Sequence, residues 1–258
     1  MNKAMRFLAV PTLALGALAM ASSPALAADE SYSSTLGQFN GTTGSGSITV
    51  DVTGDKAKVN LQVSGLAETF MDAPYPHVQH IHGGAKGECP TPANDANGDG
   101  IVSTTEGSGS YGAIQTTLST SGATTPAEGL NLALGGQGGN YTIDREITLD
   151  AATKAALEDG TAVVVVHGLD PATATGTEEA FNSPSDLDPK LPLGATSPAL
   201  CGPLVASQMG AMPNGGADTG VAQETGSNTG MIALGGGLVL AAAAGGTYMV
   251  RRRVADNA

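Results

Sequence analysis

The 258-residue chain has no tryptophan, only four phenylalanines and five tyrosines, two cysteines, four histidines and eleven basic side chains. Each shortage excludes something. With aromatics at 3%, a core built around large rings is ruled out. Charged residues reach 14%, too few for a highly charged disordered chain or a coiled coil. Hydrophobic residues still make up 41%, carried by Ala and Val, and 37 glycines accompany them. That balance fits a compact β-domain of small side chains.

Both ends carry apolar runs that must be set aside first. Lys3 and Arg6, the apolar run from Phe7 to Met20 and the small-residue site Ala25-Leu26-Ala27 stand in the order of a secretory signal, with cleavage expected after Ala27. Residues 231–250 hold no charge and precede Arg251, Arg252 and Arg253. That run is long enough to cross a bilayer, leaving residues 251–258 as a basic cytoplasmic tail. Just before it, Glu224-Thr225-Gly226 resembles part of a Gram-positive sorting signal, where a sortase cuts between Thr and Gly to attach a protein to the cell wall. Ala222-Gln223 replaces the usual Leu-Pro start, so membrane and cell-wall anchoring both stay open. The expected order is signal 1–27, domain 28–205, a Gly/Ala/Thr-rich stalk 206–230 and the anchor.

Between Ala28 and Gly230 stand 23 acidic and 6 basic side chains, a net charge of about −17. So acidic an extracellular surface argues against nucleic acid, which needs basic patches, and favours cations as ligands. Cys89 and Cys201 both lie in the exported part, where an oxidising setting makes pairing the default.

From Gly46 to Leu66, two alternating apolar/polar segments joined by Gly54-Asp55 predict a β-hairpin. Stretches 78–81, 111–118, 141–149 and 161–167 continue the pattern, and short strands separated by turn residues suggest an all-β sandwich or barrel with long loops. One short helix is expected from Asp150, its cap, to Asp159, with Gly160 ending it.

Two groups of residues carry chemistry. Residues 95–106 match the twelve-residue EF-hand loop: Asp95, Asn97 and Asp99 at positions 1, 3 and 5, Gly100 at the turn, the Ile101 carbonyl at 7, Ser103 at 9 and Glu106 at 12. Hard oxygen ligands in this number suit calcium. The flanks Cys89–Ala93 and Gly107–Gly112 do not read as long helices, so the expectation is a stand-alone loop between strands. The second group is histidine. On a strand His80 and His82 share one face and His77 takes the other, while His167 ends a separate valine run. Two imidazoles on one face and a third from a neighbouring strand supply nitrogen ligands for copper or zinc.

Gly46–Val63, Pro76–Gly87 and Gly160–Gly168 resemble the CHRD domain and are also similar to copper/zinc superoxide dismutase. The resemblance implies a Greek-key β-sandwich over roughly Ser31 to Val205. It carries the dismutase copper ligands onto His80, His82 and His167, and the family disulfide onto Cys89 and Cys201. Two features depart from the dismutases. No histidine stands between His82 and His167 to bridge to zinc, and no basic residue occupies Ser197–Leu200, where an anion-guiding arginine is expected. The resemblance thus implies a surface metal-binding module without an intact dismutase site, or else a copper-only superoxide dismutase.

Overall fold

A computed structural model describes residues 30–207. The expected signal peptide, membrane run, basic tail and most of the stalk lie outside the described residues. Among the described residues no helix is long and apolar enough to cross a membrane.

The fold is mostly β. Eight main strands form one antiparallel sheet: β1 (Glu30–Gln38), β2 (Ser45–Thr53), β3 (Lys56–Ser64), β4 (Gln79–Gly83), β5 (Ala113–Thr117), β6 (Tyr141–Thr148), β7 (Val163–His167) and β8 (Pro198–Pro203), in the order β6-β3-β2-β1-β8-β7-β4-β5. The hairpin expected at Gly54-Asp55 is β2–β3, with Thr53 opposite Lys56. Its residues alternate buried and exposed, as the sequence pattern requires. β1 turns the sheet: Glu30–Leu36 pair with β2, whereas Gly37 and Gln38 pair with β8. The two halves of the sheet share one core, to which β2 and β3 give Ile48, Val50, Val59 and Leu61, and β4, β7 and β8 give Ile81, Val164, Val166 and Leu200.

β7 is buried on both faces, which is why its sequence reads as an unbroken valine run rather than an alternation. Val164 and Val166 enter the main core, while Val163 and Val165 pack on Tyr111 and Cys201 on the other face. The expected disulfide between Cys89 and Cys201 is present and fastens the loop after β4 to β8 across 112 residues.

Several details differ from the sequence expectation. Four short α-helices are described rather than one: α1 (Thr104–Tyr111), α2 (Ala151–Glu158), α3 (Glu178–Asn182) and α4 (Leu193–Thr196). α2 is the expected helix, with the Asp150 carboxylate accepting from the Thr153 amide. α1 forms despite two glycines because Ser103 and Glu106 make a reciprocal cap and Tyr111 is fully buried at its end. Tyr111 therefore belongs to a helix, and the strand expected from 111 begins at 113. The domain also runs past 205, since Val205–Ala206 pairs with Tyr32 and Ser33 of β1.

Closing a loop this long restricts the unfolded chain far more than the folded one. The Cys89→Ser/Cys201→Ser variant is expected to lose about 2–5 kcal/mol. Urea unfolding measures this, and midpoints that coincide for variant and parent would refute it.

Candidate metal centre

Strand register decides which side chains meet. β4 and β7 are antiparallel neighbours, with His82 opposite Val163, Ile81 opposite Val164 and His80 opposite Val165. Opposite residues share a face, so His80 and His82 lie on the face that also carries Val163, Val165 and His167. The intervening Ile81 and Val164 go to the main core. One ring nitrogen from each of the three histidines lies within 4.8 Å of those of the other two. All three side chains are buried, at 2%, 1% and 2% exposure for His80, His82 and His167.

The backbone fixes how each ring is protonated. A carbonyl oxygen only accepts, so the nitrogen beside it must carry the hydrogen. His80 Nε2 donates to the Gly129 carbonyl at 2.9 Å, His82 Nδ1 to Gly112 at 3.0 Å and His167 Nδ1 to Thr196 at 2.7 Å. The remaining nitrogens, His80 Nδ1, His82 Nε2 and His167 Nε2, are buried acceptors with no protein partner. Leaving one such group unsatisfied costs about 1–3 kcal/mol. A cation shared by the three lone pairs offsets that cost, and the carbonyl bonds behind the rings are the usual support of metal-bound histidine.

Electrostatics keeps the lone pairs available. Burial pushes His82 down to about 3, with His167 adding to the shift, and pushes His167 down to about 4. Burial, together with its two neighbours, holds His80 well below the ordinary imidazole value. At neutral pH the cluster is three neutral nitrogen donors without a carboxylate or thiolate, a set that suits zinc, copper, iron or nickel.

α1 and the segments around it build the surrounding shell. Thr104 Oγ1 donates to the Thr196 carbonyl at 2.6 Å, the same oxygen that anchors His167. The Tyr111 ring meets His82 edge-on at 4.5 Å between centroids. Gly112 must be glycine for two reasons: its φ is +87°, and a Cβ there would stand 2.0 Å from the Gly83 carbonyl oxygen. Gly168, after His167, has φ +101° and lies where a Cβ would meet His77 Nδ1 at 2.8 Å. A cavity of about 290 Å³ touches His80 and His167 and reaches the surface past Leu130 and Leu187.

His77 stays apart, as expected from its opposite face. Its Nδ1 faces the His167 carbonyl and its Nε2 that of Ala67, each at 2.9 Å, with its ring tilted against Tyr75. Lys86, the base nearest the histidines in sequence, is exposed and paired with Glu88 at 3.4 Å.

The residues of the calcium-type loop form a tight turn. Asp95 accepts from the Gly98 and Gly100 amides at 2.8 and 2.9 Å, Asn97 Oδ1 from Asp99 at 2.9 Å, and Asp99 from Ile101 at 2.8 Å. Glu106 reaches back to the Ala96 and Asn97 amides with one oxygen and to Ser103 with the other. Ile101 is fully buried and pins the turn to the core. Beyond it, the buried Asn40 side chain bonds both the amide and the carbonyl of Val102. Among the described residues, His80, His82 and His167 are the one group of three or more His, Cys, Asp or Glu side chains close enough to share an ion.

The carbonyls of Gly112, Gly129 and Thr196 could not be found from sequence, because a backbone oxygen has no residue signature. Only Gly112 leaves a trace, as a glycine after a tyrosine that ends a helix. No protein-family profile matches the chain, and no curated protein matches it either.

The pH dependence of the metal-free protein follows from the depressed histidines. Their folded values, about 3 for His82 and about 4 for His167, lie below the ordinary 6.5 that the unfolded chain regains. Stability from their neutral form is complete above 6.5 and falls as acid protonates the unfolded state, down to the folded values. Each contributes on the order of 1 kcal/mol per pH unit in that window. Asp186 is partly buried, but hydrogen bonds from Thr105 and Ser103 outweigh that and lower it, so its contribution is lost only below 3.8. Urea midpoints of the metal-free protein should therefore drop between pH 6.5 and pH 4, less steeply in His82→Leu. A flat profile over that range would contradict the assignment.

Proposed function

We propose that this is an exported, surface-anchored metal-binding protein of the CHRD/superoxide dismutase-like β-sandwich type, holding copper at His80, His82 and His167. The observation that carries the reading is the set of three buried imidazole nitrogens without protein partners, each set by a carbonyl bond on the opposite side of its ring. Copper fits because an all-imidazole set suits it in either oxidation state and the site lies within a disulfide-bonded domain. Calcium at residues 95–106 is the second part of the reading. It rests on the ligand spacing and on a turn already wound so that Asp95, Asn97, Asp99 and Glu106 gather their oxygens around backbone amides. Anchoring through residues 231–258, in the membrane or by sortase to the cell wall, completes it.

Metal holding is favoured over turnover of superoxide. That substrate is an anion, and fast dismutation needs a positive field, yet no basic side chain lines the cavity at His80 and His167. The second reading, a copper-only superoxide dismutase protecting the envelope, is favoured by that same cavity, since two of the three candidate ligands line it and three protein ligands with an open position are the arrangement of catalytic rather than structural sites.

Metal analysis of the full chain tests both. One copper per chain is expected, with affinity lowered at least roughly tenfold in His80→Ala, His82→Ala or His167→Ala. Histidine-dependent superoxide turnover would establish the dismutase reading, and absence of any bound transition metal would sink both. For the loop, Glu106→Gln should lower the melting temperature more in calcium than in chelator. The carboxylate also holds amides, so a part of the loss is independent of calcium. Equal losses in the two conditions would defeat the calcium assignment.

A further inference from the structure

The cavity beside the histidines has a chemical character of its own. Its wall is formed by Val78 and Ile114, by the turn carrying Pro126, Ala127 and Leu130, and by Leu187. Thr104, Thr196, Gly129 and the two histidines complete the lining, and no lining residue is charged. The charges next to it in sequence are acidic: Glu128 between Ala127 and Gly129, and Asp186 beside Leu187, its carboxylate held by the Thr105 amide at 2.9 Å. Leu130 and Leu187 are 38% and 39% exposed, large apolar side chains left at the mouth of the space.

In the metal-free chain an anion entering here gives up its hydration to a wall of carbon flanked by negative charge, at a cost nothing in the lining offsets. An uncharged ring loses only unfavourable contact with water. Size sets the other bound: about 150 Å³ of apolar cavity accepts a benzene-sized ring, so about 290 Å³ admits one ring with a substituent. Gly129 couples this wall to the metal site, since its carbonyl fixes His80 while a Cβ there would stand 2.7 Å from Ile114 Cδ1.

We infer that this cavity is a binding site for a small uncharged single-ring molecule and that in the metal-free chain it discriminates against anions. The inference does not depend on the metal-site reading, because the three unpartnered ring nitrogens are themselves buried. The pocket itself is carried by its lining and volume.

The test titrates the full chain, metal-free and copper-loaded, with 4-methylpyridine at a pH where it is uncharged, and separately with azide. Methyl NMR shifts of Leu130 and Leu187 report the cavity. The expected result is saturable methyl shifts with 4-methylpyridine in both forms, and azide weaker by roughly tenfold or more in the metal-free form. Leu187→Arg, at an exposed position, should narrow or invert that ratio. Ala127→Phe, also exposed, should weaken 4-methylpyridine without changing copper content. Methyl shifts that saturate in a chain taking up no copper would remove the metal reading and leave the pocket standing. Azide binding the metal-free chain as tightly as 4-methylpyridine, or 4-methylpyridine leaving both leucine methyls unmoved, would overturn the inference.

Discussion

The antiparallel register between β4 and β7 is the constraint on which the rest of the molecule depends. With His80 opposite Val165 and His82 opposite Val163, every second residue of both strands faces one side, and His167 extends that row. A shift of one residue would send the histidines into the hydrocarbon core and bring Ile81 and Val164 into their place. The core prevents that shift, because Ile81, Val164 and Val166 pack with side chains of β2 and β3. The apolar face therefore holds the polar face in position. The loss of hydrophobic burial that a slip would cause is larger than the cost of keeping three acceptors unpaired on the other side.

Around that register the chain has built a second layer whose parts serve the loop and the histidines together. Ser103 and Glu106 close the turn 95–106 and also start α1. One residue further, Thr104 reaches the carbonyl that orients His167, and at the far end of the helix Tyr111 and Gly112 set His82. Tyr111 also donates its hydroxyl to the Thr104 carbonyl, tying the two ends of α1 together. Order in the turn and order behind the imidazoles are thus carried by the same eight-residue helix. Such a helix is too short to be stable alone. It exists because its cap, its terminal tyrosine and the disulfide face of β7 hold it.

How much of this was legible in sequence varied with where the determining energy lies. The hairpin at Gly54-Asp55 was legible because β2 and β3 each bury one face and so alternate. His80 and His82 were legible as a pair because parity along a strand is a local property, whereas His167 meets them through the β4–β7 pairing, which an unbroken valine run does not disclose. β1 was not foreseen: of its nine residues only Tyr32 and Leu36 are buried, four apart, so no alternation shows. β8 carries Pro198, Gly202 and Pro203, residues that weaken a strand pattern, and it is a strand only because β1 and β7 pair with it on either side. α1 was missed for a different reason. Ser103 and Glu106 fit two patterns at once, positions 9 and 12 of a calcium loop and the first and last members of a capping box. Only the burial of Tyr111, a tertiary fact, shows that a helix follows.

The charge distribution connects the composition to the site. An acidic exterior raises the local concentration of cations and lowers that of anions, and among the described residues two of the bases are engaged elsewhere: Lys86 with Glu88, Arg145 with the carbonyls of Ser119 and Gly122. Inside, the three histidines are held neutral by burial, so the site itself adds no positive field that could offset the acidic surface. A cation arriving there meets lone pairs already oriented and gives up water for three nitrogens. An anion meets neither a positive charge nor a free donor hydrogen, because each imidazole N–H is already committed to a carbonyl. The tautomers that the backbone imposes are therefore the reason the pocket accepts a metal and offers nothing to an anion until the metal is there.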